Sequence, residues 1–238
     1  AYNSGNNTNN LMLGATVDVE SDGAHSTTAN GDGDDENGIT WPAKLVVGDT
    51  YTTPVSVINT TGDAAYLSAW IDFNNNGIFE SGEQIASDLP VADGATSVNL
   101  SSFTIPSGAI VGTTFARVRI CDGTSDCNSP TGAATNGEVE DYQVTLDCID
   151  PPTANAQTFC SIPTPTVANL TASGQNIQWY AAATAGSPLS GATPLTTTTY
   201  YASQTQDNCE SDRTPVTVTV NTTPAPAVTV TAETCVAD

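Results

Sequence analysis

The chain has 238 residues, and its 26 Asp and Glu against only 4 Lys and Arg give it a formal net charge of −22. This balance excludes nucleic acids as partners and argues against anionic membranes, since the chain offers no basic patch to neutralise phosphates. No stretch is apolar over the length of a membrane helix, so membrane insertion is not expected. So many carboxylates destabilise a compact state by self-repulsion unless cations relieve it.

The acids are unevenly distributed: 21 of the 26 lie at or before Asp150. Two prolines follow Asp150 directly and stiffen the chain at the point where the charge drops. This change predicts a first domain over residues 1–149 and a second over 150–221. Residues 222–238 are predicted to be a linker and the first strand of a further repeat, because Val228–Cys235 resembles Ala154–Cys160.

Alternating Thr, Val and Tyr, interrupted by Gly, Pro, Asn and Asp, predict an all-β chain of two consecutive sandwich domains. In the first region the pattern predicts strands at Lys44–Val47, Tyr51–Asn59, Ala65–Asp72, Ser97–Ile105, Thr113–Cys121 and Val139–Leu146.

In the second region the pattern predicts strands at Gln157–Cys160, Val167–Leu170, Asn176–Tyr180, Thr198–Gln204 and Thr214–Val220. These short strands, with Trp179 on an inner strand, predict an immunoglobulin-like sandwich.

Six cysteines in a Thr-rich chain poor in lysine indicate structural disulfides and an extracellular setting. Cys121 and Cys127 flank a short acidic turn and are predicted to pair. Cys160 and Cys209 are predicted to close the second domain. The sequence assigns no partner to Cys148 or Cys235.

The stretch from Asp72 to Glu83 has the ligand spacing of a calcium loop, D-x-N-x-N-G-x-x-E-x-x-E. Its predicted ligands are the side chains of Asp72, Asn74, Asn76 and Glu83 and the backbone carbonyl of Ile78. An oxygen-only set of this kind suits a hard cation, calcium before magnesium. The apolar run that precedes it predicts that the loop joins two strands rather than two helices.

A metal-free turn is the alternative for the same loop, since Asn and Gly both tolerate positive φ. Such a turn accounts for Asn75 to Gly77. It does not account for the acids at the two ends of the pattern.

Two further acidic segments predict a second cation site. Its candidate ligands are Asp32, Asp34, Asp35 and Glu36 from a Gly-rich loop, together with Glu138, Glu140 or Asp141. The alternative is a solvated acidic surface, in which Arg117 and Arg119 pair with Glu138 and Glu140 across antiparallel strands.

No motif of a nucleophilic, nucleotide-binding or dinucleotide-binding enzyme occurs, and we expect no catalytic activity. His25, the single histidine, lies in a polar loop segment. A carbohydrate-binding module is the rival expectation, because Trp41, Tyr51, Tyr66 and Trp70 would suit sugar rings if exposed. The competing interpretation of these aromatic residues is core packing.

Three motifs carry a family resemblance: Gly137–Tyr142, which spells GEVEDY, Ala116–Ile120 and Trp70–Asn74. Together they resemble the GEVED domain, a β-domain common in large surface proteins of Bacteroidetes, over about residues 11–146. Residues 153–220, with Gln178–Ala183 and Thr199–Gln204, resemble the Ig-like repeats of the same giant proteins.

The resemblance implies a fragment of a secreted cell-surface adhesin of the gliding-motility type, exported by the type IX route. Its implied partners are neighbouring repeats of the same polypeptide and a surface glycan or protein. Calcium would stiffen such a stalk. The alternative is a carbohydrate-binding module of a secreted polysaccharide-targeting protein.

Overall fold

The computed structural model describes residues 10–15, 37–123, 127–132, 134 and 136–222. The candidate ligands at 32–36 and the predicted further strand beyond residue 222 lie outside these ranges. Contacts divide the chain into two compact units, residues 1–149 with 206–209 and residues 150–205 with 210–238. No helix in the described ranges is both long and apolar enough to cross a membrane.

The described residues of the first unit form ten strands, in agreement with the predicted all-β class. They are β1 (Leu11–Leu13), β2 (Leu45–Val46), β3 (Thr50–Tyr51), β4 (Pro54–Asn59), β5 (Ala65–Ile71), β6 (Gln84–Val91), β7 (Ser97–Asn99), β8 (Phe103–Thr104), β9 (Gly112–Cys121) and β10 (Gly137–Asp147).

Two main sheets hold the core of this unit. One has the order β2-β10-β9-β5-β6 and the other the order β1-β4-β7, while β3 and β8 form a small separate pair. Alternate residues of β5, namely Leu67, Ala69 and Ile71, join Val55 and Val57 of β4 in one buried cluster. The period-two alternation of the strands therefore determines which side chains enter the core.

Strands β9 and β10 pair antiparallel, as predicted, with Gly137 opposite Cys121 and Leu146 opposite Gly112. Gly137 has a φ of 130°, and a Cβ at this position would collide with the Ile120 carbonyl. Only glycine meets both requirements without strain, because it has no Cβ.

A segment that we call the strap, residues 127–132, covers part of the outer face of the larger sheet. The Cys121–Cys127 disulfide joins the strap to the end of β9. Arg119 is 1% exposed, and its guanidinium donates to the carbonyl oxygens of Ser129 at 2.6 Å, Thr131 at 3.0 Å and Gly132 at 2.8 Å. The Arg117 guanidinium donates to the carbonyl of Pro130 at 2.7 Å. Both arginines thus supply donors to backbone carbonyls of the strap in a partly buried setting.

Up to residue 222, the second unit contains a four-stranded sheet of order β11-β16-β13-β12, consistent with a sandwich domain, and β14 and β15 form a separate pair. The strands that follow β10 in the chain are β11 (Gln157–Cys160), β12 (Gln178–Tyr180), β13 (Thr198–Ser203), β14 (Thr205–Gln206), β15 (Cys209–Glu210) and β16 (Thr214–Asn221).

Two predictions for the second unit are wrong. The strand predicted at Val167–Leu170 is a 3-10 turn at Val167–Asn169, closed by reciprocal bonds between Thr166 and Asn169. Trp179 lies on β12, an edge strand rather than an inner one. Its ring is still only 7% exposed, because it packs in the core with Leu170 and Tyr200.

The predicted Cys160–Cys209 disulfide is also wrong, since Cys209 pairs with Cys148 and Cys160 is a free, exposed thiol. Cys160 lies opposite Asn221, at the end of the sheet where β13 begins. Cys209 follows β13 and therefore lies near the other end, about 20 Å away at 3.3 Å per residue. A disulfide requires Cα atoms within about 7 Å of each other, so this pair cannot form.

Candidate functional site

The predicted calcium loop connects β5 to β6, two antiparallel neighbours in the larger sheet. It therefore joins strands, as the apolar run before Asp72 predicts. The loop ends in a 3-10 turn at Ser81–Glu83. The side chains of Glu80 and Glu83 cap this turn reciprocally, because each accepts the backbone N–H of the other residue.

The carboxylates of Asp72 and Glu83 are buried inside the loop, 1% and 4% exposed. Asp72 accepts backbone N–H bonds from Asn76 at 3.2 Å and Gly77 at 2.8 Å. Glu83 accepts them from Asn74 at 3.2 Å and Glu80 at 3.0 Å. The first and twelfth positions of the pattern thus draw the loop backbone around two negative charges.

Two of the three asparagines between these acids, Asn74 and Asn76, bond groups within the loop. The Asn74 Oδ1 accepts the Asn76 N–H at 3.0 Å, and the Asn76 Oδ1 accepts the Ile78 N–H at 2.8 Å. Their amide nitrogens donate to the carboxylate of Glu80, at 3.0 and 3.4 Å. Glu80 is a third acid of the loop. It is the ninth residue of the pattern but was not among the predicted ligands.

The bend of the loop lies at the position that the pattern predicts. Gly77 has a φ of 80° and Asn75 a φ of 53°. The Ile78 side chain is 63% exposed, so this residue contributes to the interior of the loop only through its backbone. Positive φ values at Gly and Asn are also what a metal-free turn requires.

The donor set of the loop fits a hard cation. It offers two carboxylates, two amide oxygens and one carbonyl, and each of these oxygens has a second lone pair beyond the bond it accepts. Across the described ranges, no group of three or more His, Cys, Asp or Glu side chains is arranged to hold a metal ion. The ligand set of this loop is instead a mixture of acids and amides.

Among the acids predicted for a second cation site, the described ones all belong to β10, where Glu138 and Glu140 share one face. Glu138 accepts the N–H of Leu13 at 2.5 Å, and Glu140 accepts the N–H groups of Asn37 at 3.1 Å and Gly38 at 3.2 Å. The two glutamates therefore hold the backbone on both sides of the segment 16–36. Asp32, Asp34, Asp35 and Glu36 belong to that segment and lie outside the described residues.

Asp141 points to the other face of β10, where it forms a two-bond ion pair with Arg117. The Arg117 Nε and Nη2 lie 2.7 and 2.6 Å from the two carboxylate oxygens, and both residues are 3% exposed. Arg117 is opposite Asp141 and Arg119 is opposite Val139 in the strand register. The alternative, in which Arg117 and Arg119 pair with Glu138 and Glu140, is therefore wrong. The two glutamates are one residue out of register with the arginines, and a one-residue step along a strand moves a side chain to the opposite face of the sheet.

Tyr142 completes the glutamate cluster. Its hydroxyl donates to Glu140 and accepts the N–H of Ile39 at 2.9 Å. Burial, together with the neighbouring Glu140 carboxylate, raises the pKa of the Tyr142 hydroxyl far above its ordinary value. The phenol is therefore a permanent donor to Glu140 at physiological pH.

The four aromatic residues considered as a sugar platform are engaged in packing. Trp70 is 2% exposed. Trp41 packs edge-on against Phe103 and Tyr142, with ring centroids 6.4 and 6.2 Å apart, and Tyr51 contacts Phe103 at 6.0 Å. Tyr66 packs against the buried Cys121–Cys127 pair. Trp70 is thus a core residue, and Trp41, Tyr51 and Tyr66 are half-buried against the core.

Strand content, sheet order and two disulfides define the class of protein: an all-β chain of two consecutive sandwich domains. Family models identify both domains. A GEVED domain matches residues 66–145, and an Ig-like domain, CHU_C associated, matches residues 150–222. The chain is thus a GEVED domain followed by an Ig-like domain, which confirms the resemblance seen in the sequence. This pair fits a cell-surface multidomain protein.

Other comparisons add little. No curated protein shows significant similarity to the chain. One solved structure that matches part of the chain is a family 123 glycoside hydrolase from Clostridium perfringens, at 15% identity and a TM-score of 0.34. The match covers 53% of this chain and 26% of that one.

Proposed function

We propose that this chain is part of a secreted cell-surface adhesin, in which the GEVED domain is a structural module stabilised by calcium at the loop 72–83. The observation that carries the proposal is the pair of buried carboxylates, Asp72 and Glu83, enclosed by one loop with two amide oxygens between them. The Ig-like domain and the two disulfides support an extracellular setting.

Calcium would be held by the side-chain oxygens of Asp72, Asn74, Asn76 and Glu83 and by the carbonyl of Ile78. It would supply positive charge to a loop whose own charged groups are all acids: Asp72, Glu80 and Glu83. Asn74 and Asn76 would present Oδ1 to the ion, while Gly77 provides the bend. These residues would crosslink the β5–β6 connection and thereby stiffen the edge of the larger sheet.

The role that follows is mechanical and adhesive rather than catalytic. Rigid domains in series project a binding region away from the cell surface, and external calcium would control that rigidity. We place the chain in surface attachment of the gliding-motility type, with neighbouring repeats of the same polypeptide and a surface glycan or protein as partners.

Thermal unfolding with calcium titrated against chelator, at constant ionic strength, tests the metal. We expect stabilisation of about 1.4 to 2.7 kcal/mol when calcium exceeds its Kd by about ten- to a hundredfold. Affinities of about 10⁻⁴ to 10⁻³ M are typical of extracellular modules. The variant Asp72→Asn with Glu83→Gln should lose this response, because it keeps the acceptor oxygens and removes two charges.

The matched control is Asp63→Asn with Asp212→Asn, which removes two charges from exposed positions. This control should retain the full calcium response. If the loop variant retains it as well, the ion is bound by other acids. If the parent chain shows no response at millimolar calcium, the metal proposal is wrong.

Adhesion is tested separately, with the chain displayed on beads and the force of detachment from glycan-coated and protein-coated surfaces measured with calcium or chelator. Greater retention with calcium would support the adhesive role. Turnover of a polysaccharide by the chain would contradict it and indicate an enzyme.

A further inference from the structure

An exposed apolar recess lies beside the end of β11 in the Ig-like domain. Ile162 is 73% exposed, more than any other large hydrophobic residue in the described ranges. It lines a recess of about 210 Å³ together with Phe159, Cys160, Pro163, Thr164, Pro165 and Asn169. The walls combine apolar and uncharged polar groups and carry no charged side chain, so in this acidic chain the recess suits an occupant that is itself uncharged.

The chain leaves the domain at the rim of this recess. Strand β11 pairs parallel with β16, which places Cys160 opposite Asn221, the last residue of β16. The N–H of Ser161 also donates to the carbonyl of Asn221 at 2.9 Å. The last described residues, Asn221 and Thr222, therefore lie beside Ser161, the neighbour of Ile162 in the chain.

The sequence that follows has the matching chemistry. Residues 223–238 contain alternating apolar positions at Val228, Val230 and Ala232, and their two acids, Glu233 and Asp238, come only near the end. The stretch from Thr222 to Val230 can span about 25 Å when extended, so reach is not limiting. A tethered segment also acts at a millimolar effective concentration, which favours it over a separate molecule.

We propose that residues 223–238 dock on the recess around Ile162, with the apolar side chains near Val228 and Val230 as the contacts. The recess is thus the contact surface between the Ig-like domain and the sequence that follows it. This interface depends on neither calcium nor adhesion.

Cys160 provides a native reporter for the test, since it is an exposed free thiol in the wall of the recess. The rate of its alkylation by iodoacetamide is measured by peptide mass mapping. The chains compared are residues 1–238 carrying Cys235→Ser, and residues 1–222, which retain every described residue. Docking in most molecules should slow alkylation by about tenfold in the longer chain.

A double-mutant design separates docking from simple steric crowding. Ile162→Ser should restore fast alkylation in the longer chain and change nothing in residues 1–222. Ile78→Ser is the control, because it replaces an exposed isoleucine of the other domain in the same way. It should leave the alkylation rate of Cys160 unchanged in both chains. Since Ile162 is exposed, its replacement leaves the fold intact.

Three results would overturn the proposal. Equal alkylation rates in the two chain lengths would show that the segment does not cover the recess. A slow rate that persists in Ile162→Ser would show crowding without apolar contact. A rate that falls with increasing protein concentration would show that a second copy occupies the recess instead.

Discussion

At the scale of single residues, Tyr142 connects two parts of the GEVED domain that are far apart in sequence. Its hydroxyl bonds the Ile39 N–H and the Glu140 carboxylate, while its ring packs against Trp41. Glu138 and Glu140 hold the backbone of residues 13 and 37–38 in the same region. One buried cluster of acids and a phenol therefore fixes the N-terminal segments to β10.

Because of Tyr142, the free energy of unfolding should vary with pH in the alkaline range. Its pKa is raised in the folded state by burial and by Glu140, so above about pH 10 the unfolded chain loses this proton while the folded chain keeps it. The unfolded state then binds fewer protons, and the free energy of unfolding falls as pH rises. We expect urea unfolding to show this loss between about pH 9 and about pH 11, one unit on either side of the ordinary tyrosine pKa.

Tyr142→Phe is the matching variant. It should cost about 1 to 3 kcal/mol at neutral pH, because the Ile39 N–H and Glu140 lose a partner. It should also flatten the alkaline decline, whereas Tyr51→Phe should leave that decline in place. An unchanged slope in Tyr142→Phe would contradict the assignment.

At the scale of elements, the strap is held by side chains of the strand beneath it. Three strap carbonyls accept bonds from Arg119, and Asn128 accepts bonds from Gln84 at 2.9 Å and Ser87 at 3.0 Å on β6. The strap thereby spans the outer face of three neighbouring strands, β9, β5 and β6.

Arg119→Met should lower the free energy of unfolding by about 3 kcal/mol, since three partly buried carbonyls lose their bonds to a charged donor. Amide exchange in residues 127–132 should rise with it. Arg119→Lys should fall between the parent and Arg119→Met, because an ammonium cannot span three acceptors as a guanidinium does. A loss below about 0.5 kcal/mol in both variants would show that the disulfide alone retains the strap.

Strand positions follow from the sequence where alternation is clear, as in β5, β9 and β10. Alternation did not find β6, because Ser87, Asp88 and Pro90 interrupt its apolar residues and a bulge breaks its register with β5. The bend at Gly77 and the burial of the acids at the two ends of the loop 72–83 follow from local contacts, so their positions could be predicted, whereas calcium binding itself stays a prediction. The Arg117–Asp141 pair required the register of β9 and β10, which depends on contacts across the sheet.

The Cys148–Cys209 disulfide was not predictable for a similar reason. The two cysteines are 61 residues apart, and only the direction of β13 shows that Cys209 returns to the end of the sheet far from Cys160. Spacing along the chain does not carry this information. It follows from tertiary topology alone.

At the scale of the whole molecule, charge is the dominant property. With a formal net charge of −22, the folded chain carries its acids closer together than the unfolded chain does. Monovalent salt should therefore stabilise the fold by screening, since the Debye length falls from about 30 Å at 0.01 M to about 3 Å at 1 M.

We expect the midpoint of thermal unfolding to rise by several degrees as sodium chloride is raised across that range. Asp72→Asn with Glu83→Gln should retain this response, because screening acts on the total charge rather than on one loop. A midpoint that falls or stays constant would show that local ion pairs, which salt weakens, outweigh the general repulsion.

The burial of the cationic side chains has a consequence for digestion. Trypsin cleaves after lysine and arginine, and this chain offers it only Lys44, Arg117, Arg119 and Arg213. Arg117 and Arg119 are almost fully buried, and the Arg213 side chain is 10% exposed over the ring of Tyr180. Lys44 is more open, but the bond after it leads into Leu45, which is fully buried in β2. The native chain should therefore withstand trypsin-like proteases in its surroundings, and the few scissile bonds are concealed by the same contacts that stabilise the fold.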